Sequence, residues 1–243
     1  MALRGGGMVG GRWRIAAGIV LVPAAVAGVV GCSGGGGASA TATASAAAAK
    51  GDTGLSGAEL RGALLTRVNG VAAAEPATSG DYSSLTSSAS QSASGAQISP
   101  KACAGAATSG FDPAALSGSP AAAVMFKVGS NGVSEVLIAS SAESAATALA
   151  GSIPAECTTY EEKVAGKTFK YGVEERAVTG VGKQAKVLSV HAIGSPDSDD
   201  PWSMIYTGKG FVGTVTVVGP NASEKAVREL GQVAYGYAAK ELS

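Results

Sequence analysis

Four successive segments between Phe169 and Val218 constrain the fold more than anything else in the chain. Phe169, Tyr171 and Val173 alternate with polar partners, and Lys186 to Ile193, Trp202 to Thr207 and Phe211 to Val218 are rich in β-branched and aromatic residues. A parallel neighbour needs a crossover of about a dozen residues or more, and the short links here favour antiparallel pairing. Upstream, Ala122 to Val128 and Val133 to Ala139 flank Gly129-Ser130-Asn131-Gly132. The Asn-Gly pair accepts the positive φ values of a tight hairpin turn, so these two runs add a hairpin. The pattern predicts an α+β fold, an antiparallel β-sheet of about five to six strands with helices packed on it and a C-terminal helix.

Three helix starts carry Ser or Asn at a cap position with Glu three residues on, an arrangement that satisfies free backbone N–H groups. Ser56 with Glu59 leads Leu60, Leu64, Leu65 and Val68 along one face, predicting an amphipathic helix of about three turns. Ser140 with Glu143 leads Ala145, Ala146 and Leu149 toward Ile153, with Pro154 as the stop. Asn221 with Glu224 leads Val227, Leu230, Val233, Ala234, Tyr237 and Ala238, the clearest helical stripe in the chain. The Ser-, Ala-, Thr- and Gly-rich stretch from Glu75 to Gln97 reads as a surface excursion pinned by Tyr82 and Leu85.

The N-terminal region has a different composition. The 243 residues include 36 Gly and only 5% aromatics, so part of the chain is leader or linker. Residues 1–31 carry Arg4, Arg12 and Arg14, no acid, and an apolar run from Ile15 to Val30, the layout of a secretory signal. The run is short for a membrane span and is interrupted by Pro23, which weighs against an uncleaved anchor. Its end, Val29-Val30-Gly31-Cys32, resembles the lipobox of bacterial lipoproteins. That resemblance implies cleavage before Cys32 and diacylglycerol on its thiol. The expected organisation is a lipoprotein signal peptide over 1–31, an acylated Cys and flexible Gly/Ala/Ser/Thr tether over 32–54, and an extracytoplasmic α+β domain over 55–243.

The mature chain keeps 15 basic groups against 18 acidic ones, so no basic excess recruits nucleic acid. Ser33 to Thr53 has almost nothing bulky to bury and spans about 25 Å as a random coil. With Cys32 acylated, Cys103 and Cys157 are an even pair in a compartment where disulfides persist, and they are expected to be bonded to each other.

No catalytic, metal or cofactor constellation emerges from the sequence. Gly208-Lys209-Gly210-Phe211-Val212-Gly213 fits a dinucleotide fingerprint, but a strand follows it where a helix N-terminus is required, so a Gly-rich hairpin turn is expected. His191 is the only histidine, and no G-x-S-x-G elbow supplies it with a nucleophile. Asp197, Asp199 and Asp200 lack the spacing of an EF-hand. The doublets Glu161-Glu162 and Glu174-Glu175 put one carboxylate on each strand face and read as solvated edges. Phe169, Tyr171, Trp202, Tyr206 and Phe211 are either core or the lining of a candidate ligand cleft.

The order helix, hairpin, helix, four strands and C-terminal helix behind a lipobox resembles the PknH-like extracellular domain family, with LpqN-like lipoproteins as a second candidate. Members of the PknH-like group carry two disulfides, and the mature domain here has cysteines for one. The resemblance implies a ligand-binding or sensing cleft on an antiparallel sheet, without catalytic chemistry. The expected function is a non-enzymatic, membrane-anchored surface lipoprotein, held at the cell membrane through its lipid anchor. Its partner is an unidentified small molecule, envelope component or protein, with no cofactor. A lipid or envelope-component carrier is one alternative. An envelope hydrolase with an unrecognised site is the other.

Overall fold

A computed structural model describes residues 53–86, 97–104, 112, 114–164, 166–194 and 199–243. The leader, Cys32, the tether through residue 52, residues 87–96 of the Ser/Ala-rich stretch and Asp197 lie outside the described residues.

The helices are α1 (Gly57–Gly62), α2 (Ala142–Ala150) and α3 (Glu224–Glu241), with a further helical turn over 82–86. The strands are β1 (Arg67–Val68), β2 (Val71–Ala72), β3 (Thr78–Asp81), β4 (Gln97–Ser99), β5 (Pro120–Val128), β6 (Asn131–Ala139), β7 (Thr159–Val164), β8 (Lys167–Val178), β9 (Ala185–Ala192), β10 (Trp202–Thr207) and β11 (Phe211–Val218). Nine of them form one sheet in the order β3-β5-β6-β11-β10-β9-β8-β7-β4, and every pairing is antiparallel. The α+β class is as expected, but the sheet is wider than five to six strands. The additions are the short edges β3 and β4 and strand β7, in which a buried Glu162 interrupts the apolar alternation. β1 and β2 form a separate hairpin.

The central strands are covered on both faces, which is why β6 and β11 are buried almost continuously along their length whereas burial in β7 alternates. On one face α1 packs over β3, β5 and β6, and α3 packs over β9, β10 and β11. Their core joins Leu60, Leu64, Phe126, Leu137, Met204, Val215 and Val227. On the other face α2 and the turn at Leu116 cover Ala121, Val136, Ile138, Ile205 and Val212. Farther along that second face, Tyr160, Tyr171, Val173, Leu188 and Val190 close over bonded Cys103 and Cys157, whose Cα atoms are 5.3 Å apart.

Local chemistry shifts several element ends from their sequence positions. Ser56 and Glu59 form the expected capping box, yet α1 runs only six residues rather than about three turns. The chain leaves the helix to build β1 and β2 around Asn69-Gly70, with φ 50° and 79°, the two positive values a tight primed turn requires. The other Asn-Gly pair is not a turn. Val128 pairs with Asn131, so Gly129-Ser130 makes the bend, with Gly129 at φ 61°, and Asn131-Gly132 belongs to β6. The cap of α2 is Ser141, which accepts from the Ser144 N–H at 3.1 Å, because the Ser140 N–H is still tied to Gly210 of the β10–β11 turn. The cap of α3 is Ser223, which accepts from the Ala226 N–H at 3.2 Å; the Asn221 N–H donates instead to Asn131 Oδ1.

Candidate functional site

Register decides where the five sequence-selected aromatics go. Trp202 lies opposite Ser189 and Tyr171 opposite Ala192, an odd spacing along β9, so the two side chains point to opposite faces of the sheet. Tyr206 and Phe211 are buried under the helices with ring centroids 6.4 Å apart, and Tyr206 meets Tyr235 of α3 edge-on at 5.8 Å. Trp202 is half-buried at the rim of the same core. Phe169 and Tyr171 lie on the second face, where Tyr171 stacks on Tyr160 at 5.2 Å. The five therefore do not line one cleft; they are divided between two cores.

The acidic residues also depart from a picture of solvated edges. Glu162 is 3% exposed and accepts a hydrogen bond from the Tyr171 hydroxyl. Burial raises its pKa, and that hydrogen bond opposes the rise. The Tyr171 hydroxyl is in turn pushed up to about 12, first by burial and then by Glu162 and Asp200. Asp200 accepts from the Ala192 N–H at 3.2 Å and so holds its loop to the end of β9. Glu175 pairs with Lys186 at 3.1 Å, and Lys186 also donates to the Gly151 carbonyl at 2.7 Å, just beyond the last turn of α2. Glu161 and Glu174 are exposed, and Glu174 pairs with Arg176 at 2.8 Å.

The remaining motifs take plain structural positions. Gly208 to Gly210 is the β10–β11 hairpin turn, closed by the Gly208 N–H on the Phe211 carbonyl at 2.8 Å. His191 is half-exposed on β9, and its ring covers Gly172 on β8, where a Cβ would collide with it. Among the described residues, no three His, Cys, Asp or Glu side chains stand together as a metal-binding set.

A broad concave feature among the described residues has a floor that sequence reasoning did not single out as a site. At the turn end of β5 and β6, beyond the reach of α2, a trough of about 800 Å³ opens on the second face. Its floor is Ala123, Met125, Ser134, Thr216 and Val218; residues 74–76, Thr78, Ser84, Leu85 and Asp199 line its walls. Ser134 pairs in register with Thr216 and Thr216 with Ser203, so hydroxyls cross three neighbouring strands in a row. Ser203 Oγ and Thr216 Oγ1 are 2.8 Å apart. Around that row the lining is mainly apolar, with Glu75, Lys127 and Asp199 as its charged members. This chemistry suits holding a ligand by apolar contact and a few hydroxyl hydrogen bonds. The only sequence signal is that Ser134, Ser203 and Thr216 are polar positions within otherwise apolar strands.

No helix among the described residues is long and apolar enough to cross a membrane. No family model matches the sequence, and no curated protein is similar to it. Solved structures that the chain loosely resembles include two mycobacterial proteins. One is an uncharacterized protein of Mycobacterium smegmatis, the Rv0999 ortholog, with a TM-score of 0.40 and 14% identity over 70% of this chain and 86% of that one. The other is the extracellular domain of PknH from Mycobacterium tuberculosis, with a TM-score of 0.43 and 12% identity over 60% of this chain and 77% of that one, a loose likeness to the family suggested by the sequence.

Proposed function

We propose that this chain is an extracytoplasmic lipoprotein, anchored through Cys32, whose α+β domain is a non-catalytic binding module with its ligand seat in the β5–β6–β11 trough. The anchor rests on the leader and on Val29-Val30-Gly31-Cys32. Two acyl chains give stable membrane attachment without any amphipathic helix, since each buried CH₂ contributes about 0.8 kcal/mol. The observation that carries the binding reading is the trough itself, a concavity of about 800 Å³ with a hydroxyl row on a mainly apolar floor. That size and lining suit a small amphiphile, including a single-chain envelope lipid.

Mass spectrometry of the chain extracted from its native membrane tests the anchor. Loss of residues 1–31 with a diacylglycerol on Cys32 is expected, and an uncleaved, unmodified N-terminus removes this part of the reading. Native mass spectrometry of the same protein tests the seat. A co-purifying small molecule is expected in the wild type and is expected to disappear in Ser134→Phe, which fills the trough floor. Retention of the molecule by a folded Ser134→Phe chain places the ligand elsewhere.

A further inference from the structure

The helix-side core contains a carboxyl group that the trough does not use. Glu135 is 1% exposed in the middle of β6, beneath the clip formed by α1, β1 and β2. Its Oε2 accepts from the Leu65 N–H at 2.8 Å, just past the end of α1, while its Oε1 has no partner among the described residues. The buried hydroxyl of Tyr206 is likewise without a partner, and it is close enough for the Glu135 charge to act on it. Gly213 is the register partner of Tyr206; with no Cβ there, the ring lies across β11 toward β6.

We propose that Glu135 is a proton-operated catch that holds the N-terminal clip on the sheet when uncharged and loosens it when ionised. The uncharged acid still accepts from Leu65 through its carbonyl oxygen, and its O–H is a donor facing a core that offers the Tyr206 oxygen. The ionised acid keeps the Leu65 hydrogen bond but is a charge in an apolar seam, and lifting the clip hydrates it. The surroundings offer little compensation. The cross-strand neighbours on β5 and β11 are Val124 and Val215, β10 contributes Tyr206, and Tyr235 of α3 packs against Tyr206. The clip's own Arg61 is exposed and lines the adjoining cavity of about 420 Å³ with Leu64, Leu65 and Val124.

Burial accordingly raises the carboxyl to about 7, against the lowering effect of the Leu65 hydrogen bond. The closed clip therefore binds a proton more tightly than the open one. Opening is favoured as pH rises from the ordinary carboxylate range to about 7, by up to roughly tenfold per pH unit, and is flat above. The clip is the first element among the described residues, so, on the proposed Cys32 anchor, such a catch couples extracytoplasmic pH to the end of the domain nearest the anchor in sequence.

Hydrogen exchange of the full-length chain tests this at about pH 5 and pH 8, with Glu135→Gln as the non-titrating reference of the same shape. Dividing wild-type rates by variant rates at each pH removes the intrinsic pH dependence of exchange. In the amides from α1 through β2 that ratio is expected to rise at least roughly tenfold between the two pH values, while β9 to β11 stay level. A level ratio in the clip, or an equal rise throughout the sheet, overturns the proposal. If Glu135→Gln does not fold, carboxyl-carbon NMR of the wild type decides the matter. A Glu135 midpoint near neutrality, tracked by the Leu65 amide shift, supports the catch, and a midpoint in the ordinary carboxylate range overturns it.

Discussion

Lys186 shows how one polar side chain can be both buried and structural. Its side chain is 8% exposed, and the ammonium pairs with Glu175 at 3.1 Å and caps the carbonyl end of α2. Replacing it with Met leaves Glu175 and two carbonyls without their cation. Because Glu175 is 20% exposed it can rehydrate, so the expected loss is roughly 2 to 3 kcal/mol, below the range for a fully buried pair. The double variant Lys186→Met with Glu175→Leu is expected to recover most of that loss in urea unfolding. A double variant as unstable as the single one would show that the carbonyl contacts, and not the ion pair, carry the effect. Gly213→Ala is a harsher change, since the added Cβ meets the ring of Tyr206 inside a packed core. A loss of about 2 kcal/mol or more is expected in the same measurement, because neither β11 nor the buried ring has room to shift.

At the scale of elements, the chain's capping and turn chemistry is real but was locally ambiguous. Ser140 and Ser141 are adjacent, and Asn221 and Ser223 both precede the acidic first turn of α3; what decides between them is which backbone N–H is already engaged elsewhere in the fold. Ser141→Ala and Ser223→Ala are each expected to cost about 1 kcal/mol. Ser140→Ala and Asn221→Ala should each stay within about 0.5 kcal/mol. Paired denaturation midpoints measure the difference, and equal losses within either pair would reassign the cap. The two Asn-Gly dipeptides teach the same lesson. Both invite a turn, but Asn131-Gly132 follows Gly129-Ser130, which makes the bend first, whereas Asn69-Gly70 has no such competitor. The four late strands and α3 were legible because their periods are long and unbroken. β3 and β4 were not, since four and three residues carry too little pattern. The trough was hidden for another reason: its floor is assembled across three strands by register, which local sequence does not encode.

Across the whole molecule, the two halves of the sheet are stabilised differently. The half built on β5, β6 and β11 has helices on both faces, whereas β7 and β4 at the other edge contribute, among the described residues, to the packed cluster on the second face only. The Cys103–Cys157 bond sits in that second half, joining the turn after β4 to the turn before β7 across 54 residues of chain. Cross-linking a loop of this length removes chain entropy from the unfolded state, so Cys103→Ser with Cys157→Ser is expected to lower stability by about 4 kcal/mol. The loss should not be spread evenly. Edge strand β4 has one sheet neighbour and three residues, so without the bond its amides and those of β7 are expected to exchange first. Residues of β5, β6 and β11 should keep their protection until global unfolding. Hydrogen exchange of the double variant measures this order. If all strands lose protection together, the sheet is one cooperative unit and the bond stabilises the domain as a whole rather than its far edge.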